Sequence, residues 1–148
     1  PTPGLKLDWA SGDNRAGDGN IESFNPLFVN PGIYSLAAVN TPVNLIGIHP
    51  SLTLFLAKGL LLNLEFAMFY RDSKEDGLYS PPRFQTRPAA GNASRHIGNV
   101  AGLYLSYSFN SYLSFNLRSS YFTAGSFIKS SGSAEPAFHI APTLSLLF

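Results

Sequence analysis

Cysteine is absent from the 148 residues, which removes disulfides and thiolate metal ligands and fits an oxidising compartment. No apolar run approaches the roughly eighteen residues of a membrane-spanning helix, so that element is excluded. Charge is scarce: 13% of residues are charged, with a net charge of +1. No basic stripe exists to neutralise phosphates, which argues against nucleic acid as a partner. Phosphate-cradling glycine motifs and a nucleophile elbow are missing as well. His49, His96 and His139 fall in separate segments with no i, i+4 pairing and no acid nearby in sequence. No enzyme, cofactor or metal centre is therefore read from the residues.

What is present is apolar, aromatic and strictly alternating. Hydrophobic residues make up 45% and aromatics 14%, while 13 glycines and 11 prolines gather in a few segments, as in strands separated by long loops. The clearest stretch is the hairpin around Ser51–Arg71. Ile46, Ile48, Pro50, Leu52, Leu54 and Leu56 form one face, against Gly47, His49, Ser51, Thr53 and Phe55. After a tight turn at Lys58 and Gly59, Leu60, Leu62, Leu64, Phe66, Met68 and Tyr70 oppose Leu61, Asn63, Glu65, Ala67, Phe69 and Arg71. A soluble strand averages about five or six residues, and these run to about eleven, the length of a tilted strand crossing a bilayer.

The same period recurs along the chain. Residues 4–11 set Leu5, Leu7 and Trp9 against Lys6, Asp8 and Ala10. Residues 96–109 set Ala101, Leu103, Leu105, Tyr107 and Phe109 against Val100, Gly102, Tyr104, Ser106 and Ser108. Residues 112–123 set Leu113, Phe115, Leu117, Ser119 and Tyr121 against Ser114, Asn116, Arg118, Ser120 and Phe122. Residues 137–148 set Phe138, Ile140, Pro142, Leu144, Leu146 and Phe148 against His139, Ala141, Thr143, Ser145 and Leu147. Long loops near 12–42, 72–95 and 124–136, rich in turn residues, alternate with short turns at Lys58-Gly59 and Asn110-Ser111.

Connections that run long, short, long, short, long put all three long loops on one side of the sheet. Outer-membrane barrels have this order, with short periplasmic turns and long extracellular loops. Tyr70, Tyr121 and Phe122 at one end, and Phe109, Tyr112 and Phe148 at the other, have the placement of aromatic girdles. Apart from histidines, the charges of the last five strands are Glu65, Arg71 and Arg118, all on the polar face; at mid-depth on a lipid face each would cost about 2–4 kcal/mol. The expected fold is an all-β, antiparallel, up-and-down transmembrane β-barrel. Pro1 opens the sequence without a signal peptide, although an outer-membrane protein must be exported. The 148 residues are thus expected to be one C-terminal segment of about six strands from a larger barrel, since closure takes about eight strands and a channel about sixteen.

On the polar face, Lys6, Asp8, His49, Glu65, Arg71 and Arg118 are the candidate residues of a permeation path, the two arginines offering planar forks suited to carboxylates. The alternative for the arginines is pairing with Glu65 or loop carboxylates to brace the wall. Asp13, Asp18 and Glu22 lie among glycines and asparagines but lack EF-hand spacing, because Arg15 and Gly17 stand where ligands belong; Asx turns are the simpler reading. In an otherwise polar loop, Phe24, Asn25 and Phe28 of the apolar run Phe24–Phe28 are expected to tuck inward as a constriction.

The order Ala10-Ser11-Gly12-Asp13, Gly17-Asp18-Gly19, Phe24-Asn25-Pro26-Leu27-Phe28, Asn44-Leu45, His49-Pro50-Ser51-Leu52, Arg71, Asp76-Gly77-Leu78-Tyr79-Ser80-Pro81 and Gly98-Asn99 resembles the alginate export family of bacterial outer-membrane β-barrels. The match runs from Ala10 to about Leu105, and the remainder matches as generic barrel strands. The resemblance implies a monomeric barrel passing an anionic polysaccharide, alginate, through a lumen lined by basic residues. It implies as partners the lipid bilayer, an anionic polysaccharide or small anionic solute, and the assembly machinery that recognises a C-terminal strand ending as Phe148 does. The expected function is export or passive diffusion of such an anion across the outer membrane. A soluble or surface-attached all-β protein holding a ligand in its long loops is the alternative.

Overall fold

The computed structural model describes residues 1–15, 17–28, 41–81 and 83–148. Six long strands follow the alternating segments: β1 (Thr2–Ala10), β2 (Leu45–Ala57), β3 (Leu60–Tyr70), then β6 (His96–Ser108), β7 (Leu113–Ala124) and β8 (Ala137–Leu146). Between β3 and β6 lie two short strands, β4 (Leu78–Ser80) and β5 (Phe84–Arg87). The long strands form one sheet in the order β1-β2-β3-β6-β7-β8, every neighbouring pair antiparallel, with β1 and β8 at its two edges. β2 and β6 each span 13 residues, more than twice a typical strand. This is an all-β, up-and-down sheet that is not closed, as a partial barrel requires.

Hydrogen-bonded register fixes which side chains share a face. Thr53 pairs with Asn63, Asn63 with Tyr104 and Tyr104 with Arg118, so these residues stand in one row on the polar face. On the opposite face Leu52 pairs with Leu64, Leu64 with Leu103 and Leu103 with Ser119. That apolar face carries Trp9 at 73%, Phe138 at 65% and Leu144 at 68% exposure. Such a surface far exceeds the isolated apolar residues usual on a protein in water. The turn between β2 and β3 needs Gly59, whose φ of 76° is costly for a side chain. The Asn110 carboxamide oxygen accepts the backbone N–H groups of Tyr112 and Leu113, closing the other short turn.

Two departures from the sequence reading concern the loops. The segment 72–95 is not irregular throughout, since β4 and β5 pair as a small antiparallel ribbon. Residues 124–136 contain a one-turn helix, α1 (Ser126–Ser130), which buries Phe127 and Ile128. The core explains both. Ala10, Leu45, Ala67, Phe69, Val100, Phe122 and Ala124, all on the polar-face phase near the long loops, cluster with Ile97 and with Leu78, Phe127 and Ile128 from the loops. Phe122 thus belongs to this core rather than to an aromatic girdle. Ile97 joins it through a bulge, because Phe69 pairs with Gly98 while Tyr70 pairs with His96, leaving Ile97 extra. The loops therefore fold over the polar face at one end of the sheet.

Candidate functional site

The polar face has two parts: an open wall toward the short turns and a capped end under the long loops. On the wall, the Asn63 carboxamide donates to Thr53 Oγ1 at 2.9 Å, and the Tyr104 hydroxyl donates to Asn116 Oδ1 at 2.8 Å. The Arg118 guanidinium lies 5.3 Å from the centroid of the Tyr104 ring, a cation–π distance. Arg118 is exposed. Its planar donors and the adjoining amides and hydroxyls offer what a carboxylated, hydroxylated ligand needs.

Next to this row, β1, β2 and β3 join in a charged chain. Lys6 Nζ stands 3.2 Å from Asp8 Oδ2, which is 2.9 Å from His49 Nε2; His49 Nδ1 is 2.9 Å from Glu65 Oε1. The contact to Asp8 has ion-pair distance but lacks hydrogen-bond alignment, whereas that to Glu65 is aligned. His49 is 2% exposed, and its ring meets Phe69 edge-on at 5.3 Å. Four of the candidate path residues, Lys6, Asp8, His49 and Glu65, are thus drawn together, although 59 sequence positions separate the first from the last. Pairing with Asp8 and the chain to Glu65 leaves this stretch no excess of positive charge from Lys6.

Arg71 sits elsewhere. Its phase is that of the polar face, but it is fully buried. Nε donates to the Ser94 carbonyl at 3.1 Å; Nη1 donates to those of Lys74 at 3.2 Å and Asp76 at 2.8 Å; Nη2 donates to those of Asn92 and Ser94. The guanidinium also lies 3.8 Å from the centre of the Phe127 ring. Burial, then the nearby charge of Arg95, pushes its pKa below the usual arginine range. Every edge of the fork is occupied by loop carbonyls, so Arg71 organises the cap and does not face an open path.

Asp76 is the second hub. Its carboxylate accepts from the Asp13 N–H at 3.0 Å, Ser23 Oγ at 2.6 Å, the Gly77 N–H at 2.7 Å and the Tyr79 hydroxyl at 2.7 Å. Burial first, and then the bond to Asp76, push the Tyr79 phenol up to about 12. Asn44, with φ 51°, is the third. Its side chain donates to the carbonyls of Ser73 at 3.1 Å and Gly77 at 2.9 Å and accepts from the Ser73 N–H at 2.6 Å. A Cβ on Gly12 would stand 2.1 Å from Asn44 Oδ1, so only glycine lets the first loop pass here. Asn92 then ties the second loop to α1, donating to Ser130 Oγ at 2.6 Å and the Phe127 carbonyl at 3.4 Å.

The loop residues singled out from sequence behave differently from these hubs. Asp13 Oδ1 accepts from the Arg15 N–H and Asp18 Oδ1 from the Asn20 N–H, while Glu22 Oε2 accepts from Asn14. The first two are the expected Asx turns, and the third is a side-chain tie across the loop. Phe24, Asn25 and Phe28 are exposed: Phe24 is 49% and Phe28 95% exposed, with Leu27 between them at 86% and Asn25 also exposed. The Phe24 N–H bond to the Ser11 carbonyl holds the backbone at the loop's base. The remainder of the first long loop, residues 29–40, lies outside the described residues.

Asn44, Asp76 and Asn92 were not singled out as site residues from sequence. Asn44 before a strand and the Asp76-Gly77 pair are turn-type signals, and burial of such polar groups is what marks them as hubs.

Long antiparallel strands, one exposed apolar face and one polar face under folded loops define a transmembrane β-barrel type of sheet from a transport protein. The family model for alginate export matches residues 1–140, nearly the whole chain, and the chain belongs to that family, a family of outer-membrane proteins. Neither the curated proteins nor the solved structures contain a match.

Proposed function

We propose that the chain forms the wall of an outer-membrane channel that exports, or lets diffuse, an anionic polysaccharide of the alginate type or a related small anionic solute. The apolar face meets lipid and the polar face meets water. The observation that carries the reading is the two-faced sheet, exposed and apolar on one side across strands long enough to span a bilayer. Membership in an alginate export family supports the substrate class. On the wall, Arg118 is the cation best placed to meet a passing carboxylate, because Lys6 stands beside Asp8, His49 beside Glu65, and Arg71 within the cap.

A pore with low-dielectric walls focuses the field of its lining charges. Arg118→Glu in the full chain is therefore expected to shift the reversal potential under a salt gradient toward cation preference. Arg15→Glu, on an exposed loop and screened within about 8 Å at physiological ionic strength, is expected to leave it in place. Equal reversal potentials for the wild type and the Arg118 variant would remove Arg118 from the path, and no conductance from the wild type would remove the channel itself.

A further inference from the structure

The capped end of the polar face has more construction than a wall requires. All three long loops contribute: the first through Ser11, Gly12, Asp13, Ser23 and Asn44, the second through Ser73, Asp76 and Asn92, the third through Phe127 and Ser130. They are joined by polar hubs with several partners each, Asn44, Arg71 and Asp76 buried and Asn92 partly buried, and buried groups of this kind are costly to leave unpaired. Loop residues held this way have one arrangement rather than many. Its position matters equally. Leu78, Phe127 and Ile128 pack on Phe69, Val100 and Phe122, side chains of the polar face, so the loops lie over that face and not above the rim.

We infer that the described residues of the three loops form a fixed, size-limiting shelf across the mouth of the permeation path, and that Arg71 is the positioning residue that holds it. The inference rests on the channel reading. Selection by size and selection by charge then lie in different places, at the shelf under Arg71 and on the open wall at Arg118. Arg71 suits the task because one planar cation satisfies the carbonyls of Lys74, Asp76, Asn92 and Ser94 while stacking on Phe127. A lysine has no fork with which to span them.

The test compares passage of neutral polyethylene glycols of graded size, by liposome swelling, with the reversal potential in planar bilayers, for the full chain. Arg71→Gln is expected to admit glycols that the wild type excludes, raising their passage several-fold, with the reversal potential unchanged. Asn92→Ala, which cuts the tie to α1 and leaves the guanidinium cage, is expected to do the same in smaller measure and serves if the first variant fails to assemble. The chain has no cysteine, so Asn92→Cys with Ser130→Cys can be added to Arg71→Gln; oxidation of that pair is expected to return the size limit toward the wild-type value. An unchanged size limit in an assembled Arg71→Gln or Asn92→Ala protein would overturn the inference, as would a reversal potential that moves together with the size limit. A wild type with no glycol passage and no conductance would instead overturn the channel reading on which it rests.

Discussion

Arg71 and Arg118 look alike in sequence: each is an arginine on the polar face of a long alternating strand. They differ because Arg71 lies one position beyond the end of β3, where the chain turns into the second loop and five N–H···O bonds to carbonyls become geometrically available. Arg118 stands mid-strand, flanked by polar neighbours of the wall. Sequence could place both on one face, but burial depends on what folds over each, and that is set by loops without a periodic signal. Asn44 makes the same point, since its three side-chain bonds are to residues nearly thirty positions away or more. Asn44→Ala would leave those groups unpaired at a cost of about 1–3 kcal/mol each, and faster proteolysis of the loops in the assembled protein is expected, with the strands protected. Tyr79 gives a pH signature. Its folded pKa is raised, so the stability linked to it is present below the ordinary tyrosine value near 10 and is lost as pH rises from there through about 12. Ultraviolet titration should find one tyrosine ionising late, and Tyr79→Phe should abolish that component.

At the level of the element, alternation was sufficient to locate every long strand within about two residues, because period two over a dozen positions has no helical counterpart. The largest shifts of an end, two residues, fall at the start of β1, the start of β2 and the end of β8, whereas the bulge at Ile97 and the Phe55/Ala57 irregularity sit inside strands whose nearby ends are the expected ones. What the alternation also contained, and a simple polar-versus-apolar reading passed over, is that Phe69, Val100 and Phe122 are apolar on the polar face. Apolar side chains on a face assigned to water need a cover, and here Leu78 of β4 and Phe127 and Ile128 of α1 supply it. A β-ribbon of three and four residues and a five-residue helix are too short to leave a pattern of their own. Face assignment is testable strand by strand. Leu103→Arg or Leu117→Arg should reduce membrane assembly, at about 2–4 kcal/mol for a charge at mid-depth, whereas Ser106→Arg and Ser114→Arg should assemble as the wild type does. Heat-modifiability on gels separates the two classes.

On the scale of the molecule, the proposed channel would have one sheet divide three environments: lipid along the apolar face, water along the polar wall, and the packed protein interior beneath the loops. This division explains why so few charges suffice. Within the strands Lys6, Asp8 and Glu65 are bound into the chain through His49, so the proposed anion preference would rest on Arg118, and a single substitution there is expected to act strongly. The division also sets the most direct measurement, which the absence of cysteine makes clean: single cysteines at each position from 100 to 107 of β6 in membrane-assembled protein, probed with a water-soluble thiol reagent. Positions 102, 104 and 106 should react while 101, 103, 105 and 107 stay protected and become accessible to a lipid-soluble quencher, with position 100 protected from both because Val100 lies under the cap. Uniform reactivity along β6, or reaction at the odd positions instead, would contradict the assignment of one face to lipid and the other to a water-filled path.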